Sequence, residues 1–195
     1  MDEQHRIVSC EGEELILVDR NDNEIGFMSK AKAHDGAGVL HRAFSVFLFN
    51  DRGELMMQQR APGKRLWGGY WSNSCCSHPR AGEAMDVAVA RRLEQELGLT
   101  AALGFVYKFE YVAHFDRVGT EHELCWVYAG TAAREPVINS SEIADWRWID
   151  PAALDVELAA APERFTPWFK LEWEALNERY RGTLERLVPG LARRH

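Results

Sequence analysis

Two runs rich in aromatic and β-branched residues, "LGFVYKFEYVAHF" at 103–115 and "ELCWVYAGTA" at 123–132, dominate the second half of the chain, with a break at 116–120 between them. Such side chains fit a pleated, half-buried surface and lose rotamer freedom in a helix. The pattern predicts two long strands. Upstream, "AFSVFLFNDRGELMMQQR" sets two apolar segments around Asn50-Asp51-Arg52-Gly53, the composition of a hairpin with a short turn. An apolar run at 15–18 followed by Asp-Arg-Asn-Asp-Asn predicts a first strand and hairpin, and "ADWRWID" predicts a further strand.

Helical periodicity occurs in two places. Between 82 and 98, Met85, Val89, Leu93 and Leu97 recur every four residues, and Gly98 is suited to a C-cap. Ala88, Arg92 and Glu96 form the adjoining stripe, so two charged groups lie beside the buried face. Further on, Thr166-Pro167 is a helix start, and Phe169, Trp173, Leu176, Tyr180, Leu184 and Leu187 keep three- and four-residue spacing. One long C-terminal helix over about 167–188 is expected. Between 29 and 44, Gly36 and Gly38 break any long helix. Neither a repeat nor a linker divides the chain, so a single domain over 1–195 is expected.

With 30 acidic and 23 basic residues the chain carries a formal charge of −7, and no long block of like charge. A nucleic-acid partner is not expected, and an anionic ligand would need a local cluster of Lys and Arg. "MDEQHRIVSC" lacks the basic start and apolar run of a signal peptide, and no segment approaches 18 uninterrupted apolar residues. A soluble, cytoplasmic protein without a membrane partner is expected. The four cysteines match no disulfide framework, and Cys75 and Cys76, being adjacent, could bridge only with strain. Reduced thiols follow.

The stretch "WSNSCCSHPR" at 71–80 puts two cysteines, serines and a histidine together with no obvious packing purpose. Taken singly, any of the seven histidines reads as a surface or satisfied core residue. His34 and His41 flank two glycines, His78 follows the cysteine pair, and Glu121 and Glu123 stand two apart on one strand face. Three imidazoles and two carboxylates suit a divalent transition metal, although spacing alone does not assemble them. On the helix, Arg92 and Glu96 read as an ordinary i, i+4 pair or as phosphate and Mg²⁺ ligands. Lys30, Arg60, Lys64 and Arg65 bracket the loop that leads to 71–80 and could supply a local positive field for phosphate.

Five motifs in order, "KAHDGAGVLHRAFS", "NSCCSHP", "RRLEQELG", "EHELC" and "FTPWF", resemble the type 1 isopentenyl-diphosphate delta-isomerase family of the Nudix superfamily, over about residues 30–169. The helix resembles a Nudix box with departures at Ser77, Arg92 and Gln95, where that pattern has a glycine and two glutamates. The resemblance implies an α/β fold, a Nudix-like mixed β-sheet sandwich flanked by helices. It implies a monomer acting on a small prenyl diphosphate. Cys76 would be the catalytic thiol, with Glu123 on the opposite face of the substrate and Tyr111 beside it. His34, His41, His78, Glu121 and Glu123 would hold a first metal, Mn²⁺, Zn²⁺ or Mg²⁺. Glu96 and the backbone carbonyl of Cys76 would hold Mg²⁺ shared with the diphosphate. Lys30, Arg60, Lys64 and Arg92 would clamp the diphosphate, and Trp168 would wall the hydrocarbon. A thiol near a metal and a basic clamp is expected to be partly ionised, which favours Cys76 as proton acceptor. Two alternatives remain at this point: a Nudix-type diphosphate hydrolase, whose helix carboxylates Arg92 and Gln95 interrupt, and a non-catalytic metal-binding domain.

Overall fold

The computed structural model describes residues 6–192; the reading of the first five residues and His195 lies outside them. The strands are β1 (Glu14–Val18), β2 (Glu24–Ser29), β3 (His41–Phe49), β4 (Leu55–Arg60), β5 (Trp71–Ser72), β6 (Cys75–Ser77), β7 (Ala102–Phe115), β8 (Gly119–Thr131) and β9 (Ile143–Ile149). The helices are α1 (Lys30–Ala33), α2 (Met85–Leu97), α3 (Pro151–Ala160), α4 (Pro167–Glu178), α5 (Arg181–Leu187) and α6 (Pro189–Ala192). None of them is long and apolar enough to cross a membrane.

The two long strands pair antiparallel from Ala102↔Thr131 to Phe115↔Gly119. β8 also runs parallel to β3, from His41↔Glu123 to Phe49↔Thr131, which makes the sheet mixed. Alternation along β3 sends Ala43, Phe47 and Phe49 to one side and Phe44, Val46 and Leu48 to the other. Both sides are buried. The first is covered by Phe169, Trp173 and Leu176 of α4 and Leu184 of α5, the second by Ala88, Val89, Leu93 and Leu97 of α2. Gly98 caps α2 in the left-handed region, φ 58°.

The expected hairpin at 43–60 differs in one respect. β3 and β4 are present, yet they pair only at Phe49↔Leu55, beside the turn. Beyond that point they part, and the segment 71–77 fills the gap. β5 pairs with β4 at Gln58↔Ser72 and Gln59↔Trp71, while β6 pairs with β3 from Phe44↔Ser77 to Val46↔Cys75. Ser74 is the tip of this wedge: its Oγ accepts from the Leu48 amide at 2.8 Å and donates to the Met56 carbonyl at 2.6 Å, and its own amide donates to Val46 O at 3.1 Å. Backbone groups that a hairpin would pair with each other are thus satisfied by an insertion from elsewhere. Ser74→Ala is expected to cost about 1–3 kcal/mol for each buried group left unpaired. That would read as a lower urea midpoint at unchanged m-value, and an unchanged midpoint would show that the hydroxyl does not hold the wedge.

The C-terminal stripe is divided between two helices and does not form one. α4 stops at Glu178, and Tyr180, at φ −116° and ψ 14°, caps α5. The Tyr180 ring stacks on Tyr107 of β7 with centroids 4.3 Å apart. A straight helix would leave the sheet, whereas the break returns Leu184 and Leu187 to it. Leu187 packs where Gly104 lacks a Cβ. α3, absent from the sequence reading, begins at Pro151 with Asp150 Oδ1 accepting from the Ala152 amide at 2.8 Å.

Candidate active site and metal centre

The wedge, the starts of β3 and β8, and the end of α1 meet at one point. α1 is a single turn ending at His34, and Gly38, at φ 73°, passes close over Thr120 and His122. His41 opens β3 directly opposite Glu123, which on its other side faces Tyr111 of β7. His78 follows β6. The candidate ligand atoms of His34, His41, His78, Glu121 and Glu123 all lie within 4.8 Å of one another. What sequence spacing could not assemble, the parallel β3–β8 register does.

The outer contacts orient the imidazoles. His34 Nδ1 and His41 Nδ1 donate to the carbonyls of Lys30 and Val39, each at 2.7 Å, so the Nε2 lone pairs point inward. His34 Nε2 lies 2.7 Å from Glu121 Oε2, His78 Nε2 2.9 Å from Glu123 Oε1, and Tyr111 Oη donates to Glu123 Oε2 at 2.6 Å. Despite these approaches, His34 Nε2, His41 Nε2 and Glu121 Oε2 are buried with no hydrogen bond of acceptable geometry. Buried acceptors cost free energy unless satisfied, and acceptors converging on one point are what a divalent cation satisfies.

The charges fit the same reading. Burial pushes Glu121 and Glu123 up, but His34 for the first and His41 with Tyr111 for the second outweigh it, holding both below the usual carboxylate range. Burial, then the neighbouring His41, Lys30 and His34, keep His78 well below the ordinary histidine value, hence neutral and able to ligate. For His34, by contrast, Glu121 overcomes burial and raises the ring, so that a cation at the cluster would have to displace its proton.

A cavity of about 170 Å³ opens beside this cluster. Cys76, Tyr111, Glu123 and Trp168 line it together with Lys30, Arg60, Lys64 and Arg92. Arg60 is held by the carbonyls of Leu66 (3.0 Å) and Trp67 (3.2 Å); its Nη1 lies 3.6 Å from Cys76 Sγ and its guanidinium 5.3 Å from the Trp168 ring. The Trp168 indole donates to Ser72 Oγ of β5 at 3.1 Å and meets Trp67 edge-on at 5.2 Å. Burial pushes the Cys76 thiol up to about 11, with Arg60 pulling against it and Glu96 and Glu123 adding to the rise. Burial therefore works against the partial ionisation expected of this thiol, while Arg60 favours it.

Arg92 and Glu96 form no surface pair. Both are buried, and Glu96 Oε1 accepts from Arg92 Nε at 2.8 Å and Nη2 at 2.6 Å. Glu96 lies outside the histidine cluster and does not line the cavity. Lys30 Nζ donates to Ser9 Oγ at 2.8 Å, and Arg92 Nη1 to the Val8 carbonyl at 2.8 Å.

Two carboxylates were missed in the sequence. Glu142, in the loop before β9, lines the cavity and ion-pairs with Lys64 and Arg92. No periodicity marks it. Glu172 of α4 is fully buried, accepts from Cys125 Sγ at 3.5 Å, and is pushed by burial up to about 8. A signal existed there, since Glu172 stands four residues after Trp168 and three after Phe169 on the apolar stripe.

A NUDIX domain matches residues 39–169. The Isopentenyl-diphosphate Delta-isomerase 1 of Photorhabdus laumondii is 44% identical over 163 residues, covering 83% of this chain and 93% of its own. The Isopentenyl-diphosphate Delta-isomerase of Serratia proteamaculans is 45% identical over 157 residues (80% and 87%), and that of Leifsonia xyli 41% over 169 residues (84% and 91%). Among solved structures, DR0079 from Deinococcus radiodurans aligns with a TM-score of 0.63 at 24% identity, covering 76% of this chain and 90% of its own. The MutT protein of Methanosarcina mazei aligns at 0.57 and 16% identity (72% and 96%). At these identities the likeness concerns the fold.

Proposed function

The chain belongs to the isopentenyl-diphosphate Delta-isomerases, a family built on the NUDIX domain, and from that premise we propose that it converts isopentenyl diphosphate to dimethylallyl diphosphate in the cavity between Cys76 and Glu123. The carrying observation is that a thiol and a carboxylate line one cavity whose remaining wall supplies cations.

The reaction adds a proton to the terminal methylene carbon of an unactivated alkene and removes one from the carbon on the far side of the branch, passing close to a tertiary carbocation. An alkene is a very poor base, so the donor must be held within reach and water kept away from the cation. Cys76, protonated, is the donor in this reading, and Arg60 at 3.6 Å stabilises the thiolate left behind. Glu123, ionised and steadied by Tyr111, is the acceptor. An indole face is worth ~2 kcal/mol to a desolvated cation, whereas a carboxylate at about 4 Å with an effective dielectric near 20 contributes roughly 4 kcal/mol. Glu123 therefore carries more of the cation's stabilisation than Trp168, which chiefly excludes solvent. Lys30, Arg60, Lys64 and Arg92 hold the diphosphate.

His34, His41, His78, Glu121 and Glu123 suit Mn²⁺, Zn²⁺ or Mg²⁺, and such an ion would fix the orientation and tune the basicity of Glu123. Glu96, with the carbonyl of Cys76, would offer hard oxygen donors to a Mg²⁺ shared with the diphosphate only once it turned from Arg92 toward the cavity, whose lining it does not join. Hydrolysis gains no support, since Arg92 stands buried and ion-paired where that chemistry uses a carboxylate.

Incubation with isopentenyl diphosphate and Mg²⁺ in deuterated water is expected to label both the allylic product and recovered starting material. Absence of labelled allylic product, or release of phosphate, would remove the isomerase reading.

A further inference from the structure

The cations of the cavity come from separate elements: Lys64 from the loop after β4, Arg92 from α2, Lys30 from α1 and Arg60 from the end of β4. Gathering them in one buried place is opposed by their mutual repulsion. Burial first, then Arg60 and Lys30, work against the charge on Lys64. Glu142 lies among these cations with only 3% of its surface exposed. Its Oε2 receives both Lys64 Nζ and Arg92 Nη2, the latter at 3.3 Å, so two cationic groups are gathered around one carboxylate oxygen.

The backbone keeps that oxygen in place. The Glu142 carbonyl accepts from the Ala61 amide at 2.9 Å, and the Lys64 amide in turn donates to the Ala61 carbonyl at 3.0 Å. The loop before β9 is also fastened to the end of α2, through Val137 N to Leu97 O at 2.8 Å and Asn139 N to Glu96 O at 2.9 Å. Glu142 thus ties the Lys64 loop, α2 and the β9 approach together by main chain and side chain.

We propose that Glu142 is a positioning residue of the diphosphate clamp, holding Lys64 and Arg92 together around its Oε2 at the wall of the cavity. This rests on the prenyl diphosphate reading of the cavity. Glu142 takes no proton and touches no reacting carbon in this role; it acts through the two cations, both of which line the cavity.

The test uses the full-length, metal-loaded protein and its Glu142→Gln and Glu142→Asp variants. Steady-state kinetics with isopentenyl diphosphate is paired with calorimetric titration of inorganic diphosphate in Mg²⁺. Losing a charge-assisted bond should raise both KM and the diphosphate Kd about tenfold or more in Glu142→Gln, with kcat held within about twofold. Glu142→Asp, which keeps the charge, should recover part of the loss. A purely structural role would instead lower the active fraction and leave KM and Kd unmoved, and would overturn the proposal. So would tighter diphosphate binding by Glu142→Gln, which would make Glu142 merely a competitor for the cations, or a fall in kcat at constant KM. If Glu142→Gln fails to fold, Glu142→Asp decides alone: unchanged KM and Kd would refute positioning. Failure of the isomerase reading shows separately, as no turnover by the parent protein; a parent that binds no inorganic diphosphate overturns the clamp and this role with it.

Discussion

Cys76→Ala is expected to lower kcat for isopentenyl diphosphate by about 10²–10⁴-fold, the usual contribution of a positioned proton donor. KM should stay within about threefold, because diphosphate affinity in this reading comes from Lys30, Arg60, Lys64 and Arg92 at other points of the cavity wall. Cys76→Ser tests the chemistry more finely. A hydroxyl keeps the hydrogen-bonding site beside Arg60 but is a much weaker acid than a thiol, so its rate should lie far nearer to Cys76→Ala than to the parent. Folding is not at stake, since either change removes or replaces a single sulfur on a three-residue strand that β3 continues to pair. A Cys76→Ala protein with undiminished kcat would remove the thiol from the mechanism and leave Tyr111 or Glu123 as donor.

Stripping divalent ions with a chelator is expected to abolish turnover and to lower the thermal midpoint, both restored by adding metal back. The second effect follows from the five converging groups. Without a cation, two ionised carboxylates and three imidazoles face one another in a buried place, with His34 Nε2, His41 Nε2 and Glu121 Oε2 unsatisfied. A ligand present at about a thousand times its Kd stabilises the folded state by roughly 4 kcal/mol. For a chain of this size that is about 8–16 °C in midpoint. His41→Ala, which removes one inward-pointing nitrogen, should abolish most of that metal-dependent shift. Because imidazoles must be neutral to ligate, the shift should shrink as pH falls below the histidine range. A chelated protein with parental midpoint and rate would mean that the cluster holds no functional metal.

How far the sequence reached differs from element to element. The long pair β7–β8 and the helix α2 were visible because strand and helix periods are local: Val89 and Leu93 are bound to share a face whatever surrounds them, and Gly98 can adopt φ 58° in any context. The buried Arg92–Glu96 pair was half visible, as charges beside an apolar stripe. For the metal cluster, the ordered motifs named all five residues in advance through resemblance, whereas their spacing alone favoured a solvated loop and an exposed pair of acids.

By itself, then, the amino-acid order determined where the long strands and α2 lie, which residue types could react, and the family those motifs resemble. Tertiary structure alone decided that 71–77 splits the β3–β4 hairpin, that the C-terminal stripe breaks at Tyr180, that Glu142 gathers Lys64 and Arg92, and that burial raises the Cys76 thiol. The physical reason is range. Periodicity and turn chemistry act over a few neighbouring residues, whereas backbone pairing with a distant segment, desolvation and the field of a charge from another loop exist only once the chain has closed on itself.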